Sequence, residues 1–169
     1  AHPFYNSADM MNLEVIPLDK YKEFAIRLFG KFDKKIKEEA IEHVYQAFGG
    51  NTYYMQKVMH EAFSQTAPQA EADREMVEGI IHALVLDNDH KFSEILSRLT
   101  LPQKELLYAV AKEGMASQIT SSGFVKKHSL RSASSVQSAV KKLLEYHLIS
   151  TSKSAYYIDD QLMNLWLKE

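Results

Sequence analysis

The sequence predicts a mainly α-helical protein: a lid-like array of helices followed by a helix-turn-helix that ends in a small β-hairpin. Three observations predict it. Apolar residues recur at i, i+3, i+4 and i+7 through most of the chain, the signature of amphipathic helices. Breakers such as Gly49-Gly50, Thr66-Ala67-Pro68 and Asp87-Asn88-Asp89 cut that pattern into short pieces. After His147 the period changes to that of strands, with a polar Ser152-Lys153-Ser154 turn before a second strand, Ala155 to Ile158.

Taken in order, residues 1–17 read as irregular or extended, with Leu13, Val15 and Ile16 suited to a short strand that Pro17 stops. A first helix is expected over Leu18 to Phe32, capped by Asp19 or its neighbour, with Tyr21, Phe24, Ala25, Leu28 and Phe29 on one face and Gly30 near its end. A second is expected over Asp33 to Phe48, with Ile36, Ala40, Ile41, Val44, Tyr45 and Phe48 inward. Its run of Lys34, Lys35, Lys37, Glu38, Glu39 and Glu42 reads as a solvated face laced by helical ion pairs. Gly49-Gly50 ends it, and Asn51 caps a third helix, Thr52 to Gln65, packed through Tyr54, Met55, Val58, Met59, Ala62 and Phe63. A fourth covers Gln69 to Leu86 and packs through Met76, Ile80, Ile81, Leu84 and Val85. A short fifth carries Phe92, Ile95, Leu96 and Leu99. A sixth runs from Pro102 to Glu113, with Pro at its start and Gly114 at its end, the asymmetry helices favour.

From Thr120 onward the pattern is more specific. Two short helices are separated by a tight turn at Ser129-Leu130-Arg131. The second buries Val136, Ala139, Val140, Leu143 and Leu144 and shows Ser134, Ser135, Gln137, Ser138, Lys141 and Lys142 on its other face. Helix, turn, helix and hairpin is the layout of a winged helix-turn-helix, whose second helix enters the DNA major groove in modules that bind a duplex. The chain therefore divides near Thr100, into residues 1–99, the helical lid-like part, and residues 100–169, the winged helix. Leu106, Val110, Phe124, Val136, Val140, Leu143, Leu148, Tyr157 and Ile158 are expected in one core. Phe24, Leu28, Ile41, Val44, Tyr54 and Val58 are expected in another.

A chain of 169 residues that is 46% hydrophobic is long enough for one or two cored domains. No apolar run approaches a membrane-spanning length, so no membrane partner is expected. His2, Pro3 and Asn6 interrupt what would be the apolar region of a signal peptide. The absence of cysteine excludes disulfides and thiolate metal sites and suits a cytoplasmic location. The opening AHPFYNSADM does not read as a natural start, and the chain reads as a piece of a longer protein. A net charge of −2 hides an asymmetry. Residues 101–169 hold nine Lys and Arg against six Asp and Glu, and residues 1–100 hold eleven against sixteen. The C-terminal part is the better partner for a polyanion.

The search for catalytic chemistry finds little. There is no Gly-rich phosphate loop followed by Lys and Ser or Thr, and no HExxH. His60 and His82 stand alone on helices. Asp87, Asp89 and His90 read as residues that close one helix and open the next, because no calcium-loop pattern follows them. Gly49-Gly50-Asn51 reads first as a helix stop and cap, and second as a set of backbone N–H groups open to a phosphate. Ser129 to Ser138 lie in a turn and a helix start, where serine is an ordinary cap.

Several stretches together resemble the C-terminal part of the archaeal-type P-loop ATPases of the AAA+/STAND group. Pro3-Phe4-Tyr5 with Ser7-Ala8 and Leu13 resembles the segment after the last strands of the ATPase core. Gly49 to Gln56, GGNTYYMQ, resembles the lid motif. Leu101-Pro102-Gln103 with Leu106-Leu107 resembles the start of the winged helix, Ser132 to Leu148 its serine-rich helix, and Asp159 to Trp166 the closing signature. Thr52 stands where the lid proline would be, and Asp160 where a proline would follow Asp159. The resemblance implies a lid and winged helix that work beside an ATPase core. That core would supply the Walker A and Walker B residues, and ATP and magnesium would be bound there, with no cofactor held by this segment and no catalysis by it. It places Asn51, Thr52 and Lys57 near the nucleotide.

Two other classes fit the same pattern. A transcription regulator with a helical effector or dimerisation domain would show a ligand cavity among Phe24, Phe29, Tyr45, Tyr54 and Phe63. A winged helix used only for protein–protein contact would need no basic face. For a duplex-binding module, Ser134, Ser135, Gln137 and Ser138 are the candidates for base edges, and Lys126, Lys127, Arg131, Lys141, Lys142 and Lys153 for phosphates.

Overall fold

A computed structural model describes residues 15–169. The helices are α1 (Leu18–Gly30), α2 (Glu38–Phe48), α3 (Thr52–Gln65), α4 (Arg74–Asp87), α5 (Asp89–Ser97), α6 (Leu101–Glu113), α7 (Ser122–Lys127), α8 (Ala133–Glu145) and α9 (Gln161–Trp166). Two-residue strands β1 (Lys35–Ile36) and β2 (Glu71–Ala72) pair in parallel. β3 (Ala116–Ser117), β4 (Ile149–Ser152) and β5 (Ala155–Ile158) form an antiparallel sheet in the order β3-β5-β4. The protein is mainly α with one small antiparallel sheet, as the periodicity predicts.

Helix ends follow local chemistry. Gly49 takes a left-handed conformation at φ 56° to stop α2, and the Asn51 side chain then accepts from the N–H of Tyr53 and Tyr54 to open α3. Asp73 caps α4 by accepting from Met76 N–H, and Asn88 separates α4 from α5. At the start of α6 the Gln103 side chain accepts from Thr100 N–H at 2.9 Å, the Gln half of a capping box, with Pro102 in the first turn. α1 differs from expectation. Its N-cap is Pro17, with no side-chain hydrogen bond, and Asp19 lies inside the first turn.

The second and fourth helices start later than their apolar periodicity suggests, at Glu38 and Arg74. The reason is a contact far apart in the chain. Lys35 N–H donates to Ala70 O and Lys37 N–H to Ala72 O, each at 2.9 Å, so β1 and β2 bridge two loops. Asp33 and Gln69, the expected first residues of those helices, both have positive φ and are joined by a Gln69 N–H bond to Asp33 O.

The inward face of α1 is also narrower than expected. Tyr21, Ala25 and Phe29 are buried, one turn apart, but Phe24 is 50% exposed and Leu28 37%. α1 packs mainly against α2 and β1 and meets α3 through the Phe29–Phe63 ring pair, and Phe24 and Leu28, on the flank of its apolar stripe, stay outside the core expected to hold them. Ile41, Val44 and Val58 are fully buried as expected, with Tyr54 half-buried beside them. In the C-terminal part, Leu106, Val110, Phe124, Val136, Val140, Leu143 and Ile158 are buried together, with Leu148 packed against them. Tyr157 is not in that core. Alternation along β5 puts it on the face opposite Tyr156 and Ile158.

α9 returns from the wing to the N-terminal helices and packs on α2, α4 and α5. Its Leu162 and Met163 are 1% exposed. Asp160 caps it, accepting from Leu162 and Met163 N–H, and the same carboxylate oxygen accepts the Tyr54 hydroxyl at 2.8 Å. Trp166 Nε1 donates to Asp89 at 2.8 Å. The buried side chains before and after Thr100 thus belong to one cluster. Of the expected N-terminal strand, Val15 and Ile16 are not in a strand. Leu13, like Pro3-Phe4-Tyr5 and Ser7-Ala8, lies outside the described residues.

Candidate nucleic-acid interface

The helix-turn-helix is built by a chain of caps. Ser121 Oγ accepts from Phe124 N–H to start α7. At its end Leu130 N–H reaches back to Val125 O at 2.9 Å, Ser129 takes a positive φ, and Leu130 is buried in the turn. Ser132 Oγ then accepts from Ser135 N–H and opens α8. α8 buries Val136, Ala139, Val140 and Leu143 and packs chiefly on α6. This anchoring leaves the opposite face to solvent.

On that outward face Ser134, Gln137, Ser138, Lys141 and Lys142 are exposed, and Ser135 is half-buried. The hydroxyls of Ser134 and Ser138 are already engaged locally. Ser138 Oγ donates to Ser134 O at 3.1 Å, and the Ser132 and Ser134 hydroxyls lie 3.1 Å apart. Gln137 makes no side-chain hydrogen bond among the described residues, so its amide keeps both donor and acceptor free for an incoming base edge.

The six expected phosphate contacts fall into two groups. Lys127 Nζ lies 2.6 Å from Glu113, and Lys142 Nζ lies 2.8 Å from Glu145. Lys126, Arg131, Lys141 and Lys153 are exposed and have no carboxylate within ion-pairing distance among the described residues. Lys153 sits with Ser154 at the tip of the β4–β5 hairpin. Both residues have positive φ, the turn class that suits a two-residue hairpin.

Sequence reasoning missed the two glutamates. Glu145 was legible, three residues after Lys142 on one helix. Glu113 was not, because it lies on α6 and meets α7 only in the fold. Its carboxyl is held below the usual carboxylate range by hydrogen bonds from Lys127 and then His128, whose Nε2 is 2.8 Å away. His128 is almost wholly enclosed and lies against the Phe124 ring, 4.5 Å between centroids. Lys142 is raised and Glu145 lowered by their mutual hydrogen bond.

Of the three residues expected near a nucleotide, Asn51 and Thr52 are adjacent at the start of α3, and Lys57 lies further along the same helix. Asn51 uses its amide oxygen as a cap, and Thr52 is exposed at the first position of α3. The Lys57 ammonium stands 5.1 Å over the Tyr53 ring and lines a groove that includes neither of the others. Of the five aromatics considered for an effector cavity, Phe24, Phe29 and Phe63 line a cavity of about 540 Å³ between α1 and α3. Tyr45 and Tyr54 point elsewhere, to Ile16 O and Asp160. No helix of the described residues is long and apolar enough to cross a membrane.

Residues 90–169 match the model of a family described as a probable winged helix domain. This agrees with the observed order of α6, β3, α7, α8, β4 and β5, and this part of the chain is a winged helix. Comparison with curated proteins and with solved structures returned no match.

Proposed function

We propose that the chain is a non-catalytic binding and regulatory segment whose winged helix holds duplex DNA, with α8 in the major groove. The observation that carries this reading is the composition of the exposed surface around α8. Among the described residues Gln137 is unengaged on α8, Lys141 is an unpaired cation one turn further along the same face, and Lys126, Arg131 and Lys153 are unpaired on the flanking turn and wing. Phosphate contacts from these four cations set position, and Gln137 reads an adenine edge.

Titration against mixed-sequence duplex at low and moderate salt tests the reading. Four released counterions correspond to a slope of log K against log salt of about −3 to −4. Absence of binding at low salt, or binding indifferent to salt, would overturn it and leave a winged helix that contacts another protein.

The resemblance of Gly49–Gln56, Ser132–Leu148 and Asp159–Trp166 to archaeal-type ATPases supports placing this segment beside a P-loop ATPase core. In that arrangement the core binds ATP and magnesium, and the purified 169-residue chain turns over no ATP above a buffer control. The return of α9 onto α2 and α4 gives the helical part a direct route to the wing. Robust hydrolysis by the chain alone would remove the ATPase-segment reading without touching the DNA one.

A further inference from the structure

A groove of about 980 Å³ runs between α3 and α4, on the helical part of the chain. Met76 and Leu84 are half-buried along it, and Glu61, Glu75 and Asp87 stand exposed at its sides. Gly79 lies midway along α4 in the same lining. Its backbone is not in the left-handed region, and a Cβ added there would meet nothing within 4 Å. Neither backbone geometry nor packing among the described residues therefore calls for glycine at 79. In a helix interior glycine is the least favourable residue except proline. What its absence of a side chain does provide is a clear approach to the α4 backbone from the groove.

The charges around the groove select the occupant. Glu61, Glu75 and Asp87 have no ion pair among the described residues, and Glu61 accepts only the Gln65 amide. Among the lining residues Lys57 is the one lysine, and its ammonium is turned over the Tyr53 ring. The surface thus offers an apolar floor between unneutralised carboxylates, the complement of a helix with one apolar stripe and lysine or arginine on its flanks.

We propose that the α3–α4 groove docks a cationic amphipathic helix of a partner protein, its apolar stripe on Met76 and Leu84 and its backbone close over Gly79. This site is separate from α8 and stands or falls independently of DNA binding.

The test uses the full 169-residue chain and a fluorescein-labelled peptide of about 18 residues, long enough for helix formation on binding, with Leu and Lys at amphipathic spacing. A scrambled peptide of the same composition and a Leu/Glu peptide of the same spacing serve as controls. Anisotropy should show binding of the periodic Lys peptide alone. Gly79→Leu, which fills the groove, should weaken it at least about tenfold while the far-ultraviolet circular dichroism is retained. The double variant Glu61→Lys with Glu75→Lys, at exposed positions, should do the same, and Lys141→Glu on the DNA face should change nothing. Equal binding by the scrambled peptide would overturn the proposal. So would unchanged affinity in folded Gly79→Leu or, if that variant fails to fold, in the double charge reversal.

Discussion

At the scale of single residues, the DNA reading depends on which side chains are free. Among the described residues the Gln137 amide is unengaged, whereas the Ser134 and Ser138 hydroxyls bond to the Ser132 hydroxyl and to the backbone respectively. Gln137→Ala should therefore flatten base preference by about 1–3 kcal/mol at one position and leave affinity for random duplex nearly unchanged. Selection from a randomised duplex pool measures both. Glu145 neutralises Lys142 at 2.8 Å. Removing that charge in Glu145→Gln should tighten binding to all sequences and steepen the salt slope by about one. An unchanged slope would mean that Lys142 stays clear of the phosphates.

Glu113 gives a pH dependence. Lys127 and His128 hold its carboxyl below the ordinary value of 4.5. A folded-state pKa lowered in this way adds stability above the unfolded-state value, and that stability is lost as pH falls through the folded one. Glu113→Gln should thus make the acid limb of a melting-temperature profile shallower below pH 4.5 and leave its neutral region parallel to the parent. Identical acid limbs in the two proteins would show that the Glu113 contact makes no net contribution.

At the scale of the element, α8 depends on one cap and one buried face. Ser132→Ala removes the acceptor for Ser135 N–H and should cost about 0.5–2 kcal/mol. Leu143→Ala opens a cavity at a residue that is 0% exposed and should cost about 2–5 kcal/mol. Denaturant unfolding separates the two. A Leu143→Ala loss below that of the cap variant would mean that α8 is not anchored through this face. The wing follows the same local logic, since Lys153 and Ser154 hold positive φ in a two-residue turn between paired strands.

At the scale of the molecule, α9 ties the wing to the helical part. Leu162 and Met163 are buried, Asp160 joins Tyr54 to the α9 cap, and Trp166 reaches Asp89. Burial and then the Asp160 hydrogen bond raise the Tyr54 phenol above its ordinary value. Both parts should therefore melt together. The single tryptophan, Trp166, reports the C-terminal end by fluorescence, and circular dichroism reports all the helices. The two transitions should coincide and shift down together in Leu162→Ala. Separate midpoints in the parent protein would contradict a shared core.

Periodicity and capping residues were sufficient for most of this architecture. The stripe Val136, Ala139, Val140 and Leu143, the Asn51 cap, the Gly49 stop and the Ser152–Ala155 hairpin all depend on interactions within a few residues, so the sequence carries them openly. The same holds for the order of residues along the outer face of α8. What only the tertiary structure decided involves partners far apart in the chain. The β1–β2 bridge delays two helices, and α1 lies at the edge with Phe24 and Leu28 outside the core. Glu113 takes Lys127 out of the set of free cations, and α9 returns to close a single core. Each of these depends on which surfaces meet after the chain has folded back on itself, and the local hydrophobic pattern, being the same whichever neighbour covers it, does not record that choice.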